Sequence, residues 1–222
     1  QPVLECGCGT GVLVADLPSV GIRVTGIDRS AAMLNVSRAR VANLAPTVVE
    51  RVQLAESDVA GFDSEAHFGL AIFSGNTLSC LVTDTEPRKA LVNVHGLLRR
   101  SGKLLIVQMS PQHWTQQVQE GRQMEDWTVV PETGVLFRLT ATHRFDRRAR
   151  LISSEFRMEI RCLDGSRETR SAAQVERVMY HDDIIELMEI CRYRVINEYG
   201  EYDRKPYREG DRLIIVLGEK IL

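Results

Sequence analysis

Two acidic residues and a run of glycines near the start of the chain have the types and spacing that could do chemistry. An apolar run, Val3-Leu4, ends in Glu5 and continues at once into the glycine-rich segment 7–11. Seventeen residues after Gly11, a second apolar run ends in Asp28. The pattern predicts two strand ends, each with a carboxylate, beside a loop with almost no side chains. A ligand can approach the backbone of such a loop because no Cβ stands in the way.

The charge and the glycine spacing indicate which ligand this loop accepts. A dinucleotide fingerprint needs a third glycine three places after the second, where this chain has Val12. A pyrophosphate would also be repelled by Glu5, and a P-loop is excluded because no Lys follows the glycines. A sulfonium and an ammonium would instead be attracted by Glu5. We therefore predict that the loop binds S-adenosylmethionine.

The other predicted contacts follow from the parts of that ligand. Asp28 would accept hydrogen bonds from both ribose hydroxyls, and Asp58 would accept one from the exocyclic amine of adenine. Val59 and Met33 would offer apolar faces to the ring. The complete set predicted to bind the cofactor is Glu5, Gly7, Cys8, Gly9, Gly11, Asp28, Arg29, Met33, Asp58, Val59, Ser74 and Asn76.

The segment 5–11, Glu-Cys-Gly-Cys-Gly-Thr-Gly, with the acid that follows it, resembles the class I S-adenosylmethionine-dependent methyltransferases. Segments 73–81 and 200–210 are similar to the glycine/sarcosine and small-molecule N-methyltransferase group. The resemblance implies an enzyme that transfers a methyl group to a small molecule, at an amine nitrogen, by direct in-line displacement. It also implies that the Asn76 side chain or the Ser74 carbonyl accepts a hydrogen bond from the ammonium of the cofactor.

The chain differs from the glycine enzymes after the predicted fifth strand. Those enzymes carry a His-Arg-Asn-Tyr-type segment that holds the amino-acid substrate, whereas residues 108–114 here read Gln-Met-Ser-Pro-Gln-His-Trp. We expect His113 to accept the proton that an amine must lose, and Trp114 to line the substrate site or provide a cation–π surface. Tyr202 is a further candidate catalytic residue, and Tyr207 a candidate substrate contact.

An alternation of strands and helices must position these residues. It predicts an α/β fold, with a Rossmann-like, seven-stranded, mostly parallel sheet and helices on both faces, whose carboxyl strand ends share one rim. The predicted strands are 2–6, 22–28, 49–55, 68–73, 103–109, 193–199 and 212–218, and the predicted helices are 10–21, 30–44, 86–100 and 181–191.

A different pattern follows the fifth strand. Residues 135–145 and 151–162 alternate apolar and polar, and a third strand is predicted at 167–179, so an antiparallel β insertion with one polar face is expected. Its many arginines favour either an anion-receptive lid, or a solvated face or subunit contact in a homo-oligomer. The predicted domains are a cofactor-binding core at 1–110, a substrate-side insertion at 111–180 and the rest of the core at 181–222.

Composition and charge argue against a membrane-spanning, nucleic-acid-binding or metal-binding protein. The 222 residues are 44% hydrophobic, without an apolar run long enough to span a membrane, and the net charge of −2 gives no reason to expect a nucleic-acid partner. Five cysteines, an odd number, fit a reducing compartment and predict a cytoplasmic protein. The spacing of Cys6 and Cys8 is too short for a metal knuckle, so we predict no metal.

Other functions remain open at this point. An O- or C-methyltransferase of the same architecture would show the same cofactor residues. A cofactor-binding subunit without turnover would also show them. An oxidoreductase is the more distant alternative.

Overall fold

The computed structural model describes residues 1–112, 121–131 and 133–222, apart from the side chains of 122–124. The chain divides into two compact units, one made of Gln1–His113 and Tyr180–Leu222 and the other of Trp114–Met179. We call these the first and the second unit and describe each by itself.

Seven strands form one sheet in the first unit. They are β1 (Val3–Cys6), β2 (Val24–Asp28), β3 (Val52–Glu56), β4 (Phe68–Phe73), β5 (Leu98–Met109), β11 (Tyr193–Tyr199) and β12 (Leu213–Lys220). Their order across the sheet is β3-β2-β1-β4-β5-β12-β11. Neighbouring strands run parallel except at β12, which is antiparallel to both β5 and β11. The predicted seven-stranded, mostly parallel sheet is confirmed.

The register brings the ends of these strands to one edge. Cys6 at the end of β1 lies opposite Ile27 of β2 and Phe73 of β4, and Asp28 lies opposite Glu56 of β3. The loops after β1, β2, β3 and β4 therefore open at the same edge, which we call the carboxyl edge. All four residues of β1 are buried, as expected for a parallel strand covered on both faces.

Five helices accompany these strands in the described part of the first unit. They are α1 (Val12–Asp16), α2 (Ala31–Ala42), α3 (Pro46–Val49), α4 (Glu86–Leu97) and α5 (His181–Ile190), with 3₁₀ turns at Leu17–Val20 and Thr77–Cys80. Ser30, the first residue of the predicted helix over 30–44, is the N-cap of α2, because its Oγ accepts a hydrogen bond from the backbone N–H of Met33 at 3.3 Å.

The helix predicted over 86–100 ends early, since Arg99 and Arg100 belong to β5. These two arginines therefore lie beyond the last turn of α4. The ammonium of Lys220 instead donates hydrogen bonds to the backbone carbonyls of His95 and Leu98, each at 2.7 Å. A lysine from the last strand of the sheet thus satisfies the end of α4.

The strand predicted at 49–55 begins later, at Val52. Pro46, two residues after the predicted helix over 30–44, begins the short helix α3. Its fixed φ suits the first turn of a helix, where a missing N–H costs nothing. The turn of helix takes up residues that the sequence had assigned to the strand.

The second unit contains an antiparallel sheet. Its strands are β6 (Gly121–Met124), β7 (Thr128–Val129), β8 (Leu136–Asp146), β9 (Leu151–Arg161) and β10 (Arg167–Arg177). The order is β10-β9-β8-β6, and β7 also pairs with β8. The three long strands match the prediction. The two short strands were not predicted.

Some polar side chains of this sheet are more buried than the apolar/polar alternation of the sequence predicts. Thr140, expected on the wet face of β8, is 7% exposed. On the same strand, the guanidinium of Arg138 lies 5.0 Å from the ring centroid of Trp127 and forms an ion pair with Glu159. The Arg161 guanidinium lies 3.9 Å from the same ring centroid. Arg138 and Arg161 therefore pack on an aromatic side chain, which the alternation did not predict.

The contact between the glycine loop and α2 leads to a stability prediction. Gly11 has a φ of +78°, and a Cβ there would lie 2.1 Å from the Oγ of Ser37, a buried hydroxyl without a hydrogen-bond partner. Gly11→Ala should lower the free energy of unfolding by more than about 2 kcal/mol through backbone strain and the clash. Ser37→Ala should change it by less than about 1 kcal/mol.

Urea unfolding of the two variants measures both values. The double variant should be more stable than Gly11→Ala alone, because one clashing atom is removed. A loss from Ser37→Ala as large as that from Gly11→Ala would contradict this account of the contact.

Candidate active site

The loop after β1 has an unusual backbone. Gly7, Gly9 and Gly11 have φ angles of +70°, +54° and +78°, in the left-handed region that favours glycine. This conformation turns the chain from the end of β1 into α1 within a few residues. We call residues 7–11 the glycine loop.

At two of these glycines, neighbouring protein atoms also leave no room for a Cβ, and at the third they do. A Cβ on Gly7 would lie 2.3 Å from Cγ2 of Thr77, and one on Gly11 would meet Ser37. A Cβ on Gly9 would have no protein atom within 4 Å. Gly9 therefore presents bare backbone to open space, as a ligand-binding loop requires.

Asp28 connects the glycine loop to the end of β2. Its Oδ2 accepts a hydrogen bond from the backbone N–H of Gly9 at 2.8 Å, and its Oδ1 accepts one from the N–H of Ser30 at 2.8 Å. A carboxylate has about four acceptor positions, so two such bonds leave capacity for ligand hydroxyls. The half-buried Asp28 is thus both a structural clamp and a candidate ligand-binding group.

Glu5 lies beside the glycine loop at 2% exposure. Its Oε1 accepts a hydrogen bond from the hydroxyl of Ser74 at 3.1 Å, whereas its Oε2 is buried without a partner. Burial raises the pKa of Glu5 to about 7, against the lowering effects of the Ser74 hydrogen bond and of the backbone N–H of Val14, and the charge of Asp28 raises it further. A buried, incompletely satisfied carboxylate is a site that a cation would stabilise.

The loop after β3 carries two of the predicted residues. Asp58 is exposed, and its Oδ1 accepts a hydrogen bond from the N–H of Ala60 at 2.7 Å. Val59 is 8% exposed, so little of its side chain is available to a ring. The N–H of Ser57 donates to the backbone carbonyl of Asp28 at 3.1 Å, which joins this loop to the end of β2.

The acceptors in the loop after β4 bind other parts of the protein. The Oδ1 of Asn76 accepts a hydrogen bond from the N–H of Met109 at 2.7 Å, and the carbonyl of Ser74 accepts from the hydroxyl of Thr77 at 2.6 Å. Asn76 also has a φ of +65°, which suits its place in a tight turn. These bonds hold the β4 loop against β5. A contact of either group with an ammonium stays a prediction.

The remaining predicted cofactor residues differ in exposure. Cys8 is buried in the core, and its N–H donates to the carbonyl of Ile27 at 2.9 Å, so its side chain packs beneath the loop. Burial raises the pKa of the Cys8 thiol to about 12. Met33 is 46% exposed, and Arg29 is exposed at the start of α2.

Two of the four predicted catalytic and substrate residues lie in the described part of the chain. His113 and Trp114 fall outside the described residues. Tyr202 and Tyr207 lie in the loop between β11 and β12, three to four strands from β1, or roughly 14–19 Å at the usual strand spacing. Tyr202 is 70% exposed, and the ring of Tyr207 stacks on His181 at 4.4 Å between centroids. The loop that carries these tyrosines also opens at the carboxyl edge, because Leu213 at the start of β12 lies opposite Met109 at the end of β5, but it lies farther along the sheet from β1.

Several residues that support the site were not predicted. The side chain of Thr77 packs against Gly7, and the Nε of Arg40 donates to the carbonyl of Thr10 at 3.0 Å. Asn93 of α4 bonds the loop after β3. The sequence offered one signal for these contacts. Ser37 is a small residue on the packed face of α2, and a small residue there indicates a close neighbour. The other contacts join segments far apart in sequence.

Within residues 1–112, 121–131 and 133–222, no three or more His, Cys, Asp or Glu side chains group as metal ligands. Among the helices of those same residues, none combines the length and the apolar character needed to cross a membrane.

Residues 3–102 match a family model described as "Methyltransferase domain". The match covers β1 to β4 and every predicted cofactor-binding residue. This region is somewhat less than half of the chain, and the match shows the family to which it is similar. The resemblance to class I S-adenosylmethionine-dependent methyltransferases is thereby confirmed at the level of this domain, and S-adenosylmethionine is the cofactor of that class.

A curated relative of the methyltransferase domain comes from Geobacillus sp. (strain WCH70), under the name "Putative methyltransferase GWCH70_2453". It is 32% identical over 103 residues, which are 46% of this chain and 40% of the relative. The chain thus spans about two fifths of the length of the curated relatives that it matches.

Solved structures resemble the whole chain. The CcbJ methyltransferase from Streptomyces caelestis superposes with a TM-score of 0.81 at 20% identity, over 100% of this chain and 84% of that one. The amino pentose methyltransferase CalS10 from Micromonospora echinaspora, solved with S-adenosylmethionine bound, gives 0.71 at 18% identity, over 100% and 84%. The sugar N-methyltransferase KedS8 from Streptoalloteichus sp. ATCC 53650 gives 0.76 at 15%, over 100% and 81%. At these identities the likeness establishes the fold.

The environment of Glu5 predicts a pH dependence. Its raised pKa means that, between about pH 4.5 and 7, the folded ligand-free protein holds a proton that the unfolded chain has released. The stability of the ligand-free protein should therefore fall as pH rises through this window. A cation beside Glu5 favours the ionised form, so affinity for S-adenosylmethionine should rise about tenfold between about pH 6 and 8.

Calorimetric titration across this pH range tests the prediction. Glu5→Gln should bind more weakly and lose most of the pH dependence, whereas Glu50→Gln, at an exposed position next to α3, should keep it. An unchanged pH profile in Glu5→Gln would show that another group is responsible.

Proposed function

We propose that this protein is an S-adenosylmethionine-dependent methyltransferase that acts on a small-molecule amine. The observation that carries the proposal is the bare backbone of Gly9, which meets open space, donates to the carboxylate of Asp28 and belongs to the loop that begins just after Glu5. This arrangement suits a ligand with a cationic end and a vicinal diol. The match to the methyltransferase domain family is an independent reason to expect S-adenosylmethionine.

The residues at the carboxyl edge fit the cofactor part by part. The uncompensated Oε2 of Glu5 offers negative charge for the cationic end, and Asp28 has acceptor capacity for ribose hydroxyls. Exposed Asp58 would accept from the adenine amine, and exposed Met33 would cover the ring. When bound, S-adenosylmethionine supplies a methyl group that is already activated by its sulfonium.

The protein then has to align a nucleophile and exclude water. We assign the acceptance of the substrate proton to His113 and a wall of the acceptor site to Trp114. Tyr202 and Tyr207 would act from the loop between β11 and β12. In this proposal, residues 111–180 form the substrate side of the site. The first two assignments rest on residue type and on position after the predicted fifth strand, and the tyrosines lie in the segment 200–210 that resembles the small-molecule N-methyltransferases.

An amine acceptor is favoured by two considerations. The segment resemblances in the sequence are to N-methyltransferases, and solved structures of this fold include a sugar N-methyltransferase and an amino pentose methyltransferase. We therefore propose small amines, with amino sugars as the first compounds to try. We also propose that the protein is cytoplasmic and acts without nucleic acid or membrane. Its oligomeric state, for which a homo-oligomer is the candidate, can be measured in solution.

A labelled-methyl assay tests the function. The protein would be supplied with S-adenosylmethionine carrying a labelled methyl group, and with amino sugars, small amines and matched hydroxyl compounds. We expect mass spectrometry to find the label on nitrogen. Asp28→Ala should lower cofactor affinity at least tenfold and reduce turnover, because both the diol acceptor and the clamp on Gly9 are lost.

The outcomes separate the alternatives. Label found only on oxygen or carbon would replace the amine with another acceptor. Cofactor binding without any product would favour a non-catalytic subunit. Failure to bind S-adenosylmethionine would overturn the proposal.

Gly9 offers a second test with a matched control. Gly9→Asn should weaken S-adenosylmethionine binding at least tenfold, because a side chain would fill the space beside the backbone. Gly21→Asn, at another left-handed glycine with no atom within 4 Å, should leave binding unchanged. Asn tolerates this conformation, so both variants should keep similar thermal stability. Calorimetric affinities that agree within twofold would show that the ligand lies elsewhere.

A further inference from the structure

The loop after β3 holds its shape through bonds to itself and to two neighbours. Within the loop, the side chain of Asp58 accepts from the N–H of Ala60, and its carbonyl accepts from the N–H of Gly61 at 3.1 Å. At the start of the loop, the N–H of Ser57 donates to the carbonyl of Asp28. This contact ties the loop to β2, whose end carries the proposed ribose acceptor.

Asn93 holds the other end of this loop. Its Nδ2 donates to the carbonyl of Val59 at 2.9 Å and to the carbonyl of Phe62 at 2.8 Å. Both hydrogens of one amide are therefore used on two backbone carbonyls of the loop. Asn93 lies on α4 next to buried Val94, so its side chain extends from a helix that is itself anchored in the core.

The chemistry of this contact requires an amide of this length. Aspartate, which has nearly the same shape, would place a carboxylate oxygen against two carbonyl oxygens. A hydrocarbon side chain would remove both hydrogen bonds. A glutamine would be longer by one methylene. Asn93 is thus well matched to hold Val59 and, through it, the adjacent Asp58.

We propose that Asn93 is a positioning residue that determines the base specificity of the methyl-donor site by fixing Asp58. The inference rests on the proposed function. A carboxylate accepts from the 6-amino group of adenine but faces a lone pair on the 6-keto group of the inosine analogue. It distinguishes the two bases only if it is held at a set distance and angle, because an untethered loop can turn the carboxylate toward water.

The test compares two ligands on the full chain. Affinities for S-adenosylhomocysteine and for S-inosylhomocysteine would be measured by calorimetry. We expect the unaltered protein to favour the adenosyl compound at least tenfold, since an unpaired or repulsive polar contact is costly in a binding site. Asn93→Asp should reduce that ratio below threefold, mainly by weakening the adenosyl compound, with the inosyl affinity changing less than threefold.

Two further variants keep the test informative. Asn35→Asp makes the same change at an exposed position of α2, where Oδ1 accepts from Arg38, and should leave the ratio unchanged. Asn93→Ala, which adds no charge, should also reduce the ratio if Asn93→Asp does not fold. A purely structural role would weaken both ligands equally and preserve the ratio, which would overturn the inference.

The outcomes also separate this inference from the proposed function. An unaltered protein that binds neither compound would contradict the function itself. An unaltered protein that binds both equally would leave the function standing and overturn the role of Asn93 in specificity.

Discussion

The hydrogen bond from the N–H of Gly9 to the carboxylate of Asp28 is the interaction on which the site depends. It joins the glycine loop after β1 to the end of β2 at 2.8 Å. The parallel pairing of the two strands brings these groups to one edge, and the bond then fixes a stretch of backbone that no side chain covers. A site for a nucleoside therefore follows from sheet geometry and one carboxylate.

Glu5 shows what this arrangement costs the ligand-free protein. Its burial with one unpartnered oxygen is unfavourable, and the raised pKa expresses the same penalty as a preference for the neutral form. A cation would relieve the penalty, whereas a phosphate would increase it. The same group thus lowers stability without ligand and favours a cationic ligand over an anionic one.

Contacts within the protein hold the surrounding loops before any ligand is present. Thr77 and Asn76 hold the loop after β4, Ser37 lies against the glycine loop, and Asn93 ties down the loop after β3. Such preorganisation reduces the ordering cost on binding. It also explains why side chains that touch no ligand would influence affinity.

Patterns among neighbouring residues were enough to predict β1, β2, the start of α2 and the long strands of the second unit. Apolar runs, an N-cap serine and strict alternation are signals carried by neighbouring residues. The end of α4 was mispredicted because Lys220, more than a hundred residues away, satisfies its carbonyls. In the same way, the sequence identified the glycine loop and both carboxylates, but only the tertiary structure distinguished Gly9, which meets open space, from Gly7 and Gly11, which meet protein. That distinction and the role of Asn93 depend on which distant segments pack together, and no local pattern encodes that packing.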